Sequence, residues 1–293
     1  METRRFRFGA VCAALTTPLR SVLDDYTELY RHSVSTIGHR GEIHVQVTPR
    51  PRSLRHRRRF DVTVNGRRQF EPGRLDEILP CIEWSIGWEV PRILPHYLQI
   101  HASAMEVDGQ GVIFPGLSGR GKSTLTVGLL TRGWRYLSDE FALLEADSLQ
   151  LHAYPRAICI KRPAFPVLEQ LRVRLHRDKC YLKGAKGFVG FVRPLDVRPD
   201  CLGRACRIQF IVFPQYTPGT ATVLVPMHRA EAAFALHETC FNLLNCRRPG
   251  LEVMVAMIRD VRCYRLFHSD IQATCDTLQE LVIGARQQRQ CGA

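Results

Sequence analysis

The sequence predicts an α/β (α+β) protein in two parts, a smaller N-terminal α+β unit over residues 1–95 and a larger domain over 96–285, with a short disordered tail at 286–293. Three observations carry this expectation. Strand-type alternation is interleaved with helical periodicity along the whole chain. Residues 116–123, GLSGRGKS, match the phosphate-loop pattern G-x-x-x-x-G-K-[ST] between a strand-like and a helix-like run. At 293 residues, 45% hydrophobic and 24% charged, the chain is long enough for two modest cores.

The first unit opens with a basic stretch and a short apolar run. FRFGAVCAAL is too brief for a leader sequence and reads as a strand near 6–15. A helix near 19–31 follows, with Val22, Leu23, Tyr26, Leu29 and Tyr30 on one face. EIHVQV and FDVTV alternate as strands, and Asn65-Gly66 marks a tight turn after the second. A helix from Leu75 to about Val90 is expected to stop before Pro91.

In the second unit, LQIHASAMEV and GVIFPG are strands joined by an Asp108-Gly109 hairpin turn, and the second runs straight into the loop. STLTVGLLTRG is a helix terminated by Gly133. The stretch from Trp134 to Lys161 reads as three short strands. IQFIVFP and ATVLVPM are strands, AEAAFALHETCFNLL and LEVMVAMIRDV are helices, CYRLF is a strand, and a closing helix spans 271–284.

The loop is where the chemistry concentrates. Consecutive backbone N–H groups of Gly116, Leu117, Ser118, Gly119, Arg120, Gly121, Lys122, Ser123 and Thr124 can form a nest for phosphate oxygens at a helix N-terminus. Lys122 would neutralise the β- and γ-phosphates of ATP, and the Ser123 hydroxyl would sit on Mg²⁺. Asp139 and Glu140 follow seventeen residues after Lys122, adjacent and at a strand end. Metal-assisted phosphoryl transfer needs one carboxylate near Mg²⁺ and one near the acceptor hydroxyl, and adjacent residues leaving a strand face opposite sides. The alternative is an exposed acidic turn. His101, fifteen positions before Gly116, ends LQIH and would lie near the same end of the sheet; a lone strand His is also compatible with a structural role.

The formal charge is +13, and the densest basic run, PRPRSLRHRRRF at residues 49–60, reads as a long hairpin loop, solvated or docking an acidic partner. No aromatic RNA-binding motif, zinc finger or helix-turn-helix pattern accompanies it, so nucleic acid is not an expected partner. The eleven cysteines include no C-x-x-C pair and read as small buried hydrophobes in a reducing cytoplasm. No apolar run is long enough to span a membrane.

IHASAMEVDGQGVIFPGLSGRGKSTL followed by RGWRYLSDEFALL resembles the HPr kinase/phosphorylase superfamily, and more closely its branch called HPr kinase-related kinase A. PRAICIK, KGFVGFVRP, IVFPQY and FNLL are similar to that branch too, so the resemblance covers residues 96 to about 270. It implies a P-loop kinase domain of the HPr kinase and phosphoenolpyruvate carboxykinase type. By position, Asp139 would take the proton from a serine hydroxyl, Glu140 would support Mg²⁺ or its waters, and His101 would lie near the acceptor phosphate. The implied activity is an ATP-dependent serine kinase acting on a small protein or peptide, and the parent superfamily implies a homo-oligomer. Two departures stand out: RAICIKRP replaces the E-[VI]-R-G-x-G-I motif, and Phe191 stands where a His is common. The first puts the reverse, dephosphorylating activity in doubt. Lys183, Lys186 and Arg193 are candidate phosphate or acceptor contacts, or residues of a solvated loop. A small-metabolite kinase and a non-catalytic ATP-gated binding protein are the alternatives.

Overall fold

The computed structural model describes residues 1–39, 41–50 and 59–290. Their contacts divide the chain into two compact units: Met1–Leu94 with Cys159–Phe165 and Arg174–Arg193, and a second formed by Pro95–Ile158, Pro166–Val173 and the chain from Pro194 onward. The expected span 96–285 is thus interrupted, because two of its segments pack with the first unit.

The first unit starts with β1 (Glu2–Phe8) and β2 (Val11–Thr17), which pair as a hairpin with Phe8 opposite Val11. The single strand expected at 6–15 is therefore two, because Gly9 takes a left-handed φ of 61° and turns the chain. Helix α1 (Arg20–Leu29), β3 (Val34–Ser35), β4 (Ile43–Pro49), β5 (Phe60–Val64) and β6 (Arg67–Phe70) follow, giving a six-stranded sheet of order β3-β1-β2-β4-β5-β6. The apolar face of α1 packs on it, with the Tyr26 ring edge-on to Phe6 at 4.9 Å. Of the Arg-rich loop, 51–58 lies outside the described residues, while Arg50 and Arg59 continue the β4–β5 ladder. Helix α2 (Ile78–Ile93) passes through Pro91 rather than stopping before it. That proline falls in the last turn, where its ring interrupts little of the remaining helix.

The second unit begins with the eleven-residue β7 (Tyr97–Val107), then β8 (Gln110–Pro115), α3 (Lys122–Thr131), β9 (Arg135–Ser138), β10 (Phe141–Glu145) and β11 (Gln150–His152). The chain next forms β12 (Ile158–Lys161), α4 (Phe165–Gln170), β13 (Tyr181–Leu182) and β14 (Phe188–Val192), whose strands make a small sheet of order β12-β14-β13. Buried Asp25 of α1 explains why 174–193 belongs to the first unit. It accepts hydrogen bonds from Lys179 Nζ at 3.0 Å and Tyr181 Oη at 2.6 Å, with Arg177 Nη1 at 3.3 Å.

The chain completes the second unit with α5 (Pro194–Val197), β15 (Cys206–Tyr216), β16 (Val223–Pro226), α6 (Arg229–His237), α7 (Gly250–Arg259), β17 (Arg262–His268) and α8 (Ile271–Gln290). The large sheet has the order β11-β10-β7-β8-β15-β17-β16, with β9 also on β7. Strands β8, β15 and β17 are mutually parallel, so their carboxyl ends lie together. Leu98, Ile100, Ala102 and Ala104 of β7 face a core shared with Leu236 of α6 and Val253, Met254 and Met257 of α7. Helix α6 is shorter than the sequence suggests, because Thr239 and Phe241 leave it to bond the β7 backbone at His101 and Gln99. Helix α8 is longer, so 286–290 continue a helix instead of opening a disordered tail.

Candidate functional site

Strand β7 sets the site's dimensions. Its hairpin with β8 puts Ala102 opposite Pro115, so His101 lies beside the first residue of the loop, and the Gly116 amide donates to the His101 carbonyl at 3.3 Å. His101 stands mid-strand in β7, not at a strand end as expected. Residues Gly116, Leu117, Ser118, Gly119 and Arg120 then loop over to Gly121, the N-cap of α3. Gly121 adopts φ +87°, and a Cβ there would lie 2.9 Å from His268 Cε1. Both facts require glycine at this position.

Lys122 begins α3 and is 7% exposed. Its ammonium donates to the carbonyls of Gly116 and Leu117, the latter at 3.1 Å, and stands 3.4 Å from His101 Nε2. His101 Nδ1 is 3.2 Å from the Glu140 carbonyl oxygen. The neutral tautomer that donates from Nδ1 leaves the Nε2 lone pair facing the lysine, so both contacts are satisfied at once. The Phe241 ring meets the imidazole edge-on at 5.6 Å.

The acidic pair sits across the other edge of β7. Strands β9 and β10 follow one another along that edge, with Ala104 opposite Ser138 and His101 opposite Phe141. Counting between these pairs places Ser103 opposite Asp139, and its hydroxyl donates to Asp139 Oδ1 at 2.7 Å. Thr126, one turn after Lys122, donates to the Lys122 carbonyl at 3.0 Å, with Asp139 Oδ1 at 3.4 Å. Asp139 is 7% exposed. Burial pushes its carboxyl up to about 6, against the hydrogen bonds of Ser103 and Ser123 and the charge of Lys122, while Glu140 adds to the rise. Glu140 is half-buried.

The fold therefore gathers His101, Lys122, Ser123 and Asp139 at the start of α3. It places Lys183, Lys186 and Arg193 in the first unit. There Lys183 and Lys186 each stand over the Trp84 ring, at 5.6 and 5.4 Å, and Arg193 pairs with Glu28 at 2.9 Å. Sequence reasoning missed Ser103 and Thr126, which the register and the helical repeat could have indicated. It also missed His268 and Tyr216, which reach Gly121 from strands far along the chain.

The residues present fit a magnesium nucleotide. The hydroxyl of Ser123 and the carboxylate of Asp139 lie together, and hard oxygen ligands of this kind suit Mg²⁺, which takes one or two from protein and the rest from phosphates and water. Among the described residues no cluster of three or more His, Cys, Asp or Glu side chains forms a metal cage, and no helix is long and apolar enough to cross a membrane.

By sequence, the chain matches no family profile and no curated protein. Among solved structures it is similar to the Hpr(Ser) kinase/phosphatase from Coxiella burnetii, at 12% identity over 66% of this chain and 98% of that one, with a TM-score of 0.33. The likeness is distant.

Proposed function

We propose that the chain is an ATP-dependent, serine-kinase-like phosphotransferase that acts on a small protein or peptide. The observation that carries this reading is the convergence of a phosphate loop, its Lys122 and the buried carboxylate of Asp139 around the N-terminus of α3. A loop alone would hold phosphate; a carboxylate beside it gives the acceptor's proton a destination.

In this reading the loop amides and the α3 N-terminus hold the β- and γ-phosphates, and Lys122 exchanges its carbonyl partners for phosphate oxygens. His101 orients the Lys122 ammonium from the β7 side. The acceptor oxygen bonds to the γ-phosphorus, the bond from that phosphorus to the β,γ-bridging oxygen breaks, and ADP leaves. Asp139 receives the hydroxyl proton, and Ser103 and Thr126 fix the carboxylate that receives it. Ser123 would hold Mg²⁺, with Glu140 supporting the ion or its waters, and the ion when bound would neutralise phosphate charge.

Incubation with γ-labelled ATP and an array of serine-containing peptides tests the proposal. Label should pass to serine with the wild type, and Asp139→Asn should keep ATP binding while transfer falls by about two powers of ten or more. Lys122→Ala should weaken both. Undiminished transfer by Asp139→Asn would remove the assigned role, and label appearing only on small metabolites would favour a metabolite kinase.

A further inference from the structure

The two flanks of the phosphate loop are chemically unlike. On the β7 flank lie His101 and Asp139. On the other flank β15 and β17 run parallel to β8 and end in register at Tyr216 and His268. A Cβ on Gly121 would be 3.5 Å from the Tyr216 Cβ. His268 is buried, whereas Tyr216 is 47% exposed, and the two rings meet at 5.7 Å and 69°. An aromatic surface is thus left in solvent at the edge of the loop, braced from one side by a buried ring.

A triphosphate with its γ-phosphate at Lys122 and Asp139 would extend its base towards the opposite flank. That flank is formed by the carboxyl ends of parallel strands, where ligands of such sheets sit. We infer that Tyr216 is the stacking platform for the purine base of the nucleotide, a subsite that rests on the nucleotide reading above. The turn that follows keeps the platform in place. The Thr217 amide donates to the His268 carbonyl at 3.0 Å, Ser269 Oγ donates to the Thr220 carbonyl at 2.7 Å, and the hydroxyls of Thr222 and Thr274 are 3.4 Å apart. A ring held on a fixed turn loses little freedom on stacking, so more of the contact appears as affinity.

Calorimetric titration of the whole chain with ATP and, separately, with inorganic tripolyphosphate tests the subsite, since only ATP carries a base. Tyr216→Ala should weaken ATP binding about tenfold or more and leave tripolyphosphate binding unchanged. Tyr216→Phe, which keeps the ring, should restore the ATP affinity. Equal loss for both ligands would make Tyr216 a mere support for Gly121 and overturn the inference, as would an unaltered ATP affinity. Thermal melting of each variant separates misfolding from lost stacking, and Tyr216→Phe carries the comparison if the alanine variant is unfolded; a failure of Phe to bind ATP like the wild type then counts against the platform. A wild type that binds neither ligand would instead refute the nucleotide site itself.

Discussion

Asp139→Asn should stabilise the ligand-free protein. The Asp139 carboxyl is raised from 3.8 to about 6, chiefly by burial, so the folded protein holds the proton more tightly than the unfolded chain does. Stability from this group is therefore greatest below about pH 4 and is lost as pH rises towards 6. At ~1.4 kcal/mol per pH unit, the ionised carboxylate costs about 3 kcal/mol above pH 7 and about half of that at pH 5. Asparagine preserves an oxygen to accept from Ser103 and carries no charge to desolvate. Urea denaturation of metal-free and nucleotide-free protein should show the variant more stable at pH 8 by on the order of 2–3 kcal/mol, equivalent to a melting shift of roughly 3–5 °C. The gap should narrow at pH 5. A variant that melts at or below the wild type at pH 8, with a gap that does not change with pH, would refute the argument that burial dominates this carboxyl.

Two further substitutions probe the loop and the first unit. Gly121→Ala forces a residue with a Cβ into φ +87° against His268, costing about 1–2 kcal/mol in backbone strain alone. ATP affinity measured by calorimetry should fall about tenfold or more, and wild-type affinity would show that the contact yields freely. Burial by itself would raise the Asp25 carboxyl, but the His176 imidazole 3.7 Å away and hydrogen bonds from Tyr181 and Lys179 hold it well below the usual carboxylate range. Its contribution is present above about pH 4 and lost on acidification below that. Asp25→Asn should cost about 3 kcal/mol in urea denaturation at pH 7 and progressively less below pH 4; a deficit that stays constant with pH would point to packing instead of charge.

What the sequence made legible is what local pattern controls. Asp108-Gly109 fixes a tight hairpin, and counting back from that turn brings His101 to Gly116 with no knowledge of the rest of the sheet. Gly-rich spacing and Lys122 likewise announce the loop before the fold is known. Gly9 was hidden, because a single glycine inside an apolar run does not distinguish a weak strand position from a turn. The Asp25 cluster was hidden for another reason. Nothing in HRDKCYL says that its cations and phenol answer a carboxylate some 150 residues earlier.

The site divides along the same line. His101 and Ser103 are two residues apart on β7 and so share a face, and the loop strand and the acidic pair register against the two edges of that one strand. Once β9 and β10 are known to share an edge, the Ser103–Asp139 contact follows by arithmetic. Their shared edge is what local periodicity cannot supply, since WRYL and FALLE could have paired with each other. Tyr216 and His268 are more remote still: their place beside Gly121 depends on two parallel pairings, β8 with β15 and β15 with β17, and parallel pairings leave no turn in the sequence to mark them. The place of His101 beside Gly116 is thus specified by short-range geometry around one hairpin, that of Asp139 by the pairing of β9 and β10 along one edge of β7, and that of Tyr216 and His268 by the order of strands in the completed sheet. Substitutions that disturb the β15–β17 pairing should accordingly displace Tyr216 and His268 before they affect the hairpin that holds His101 beside Gly116.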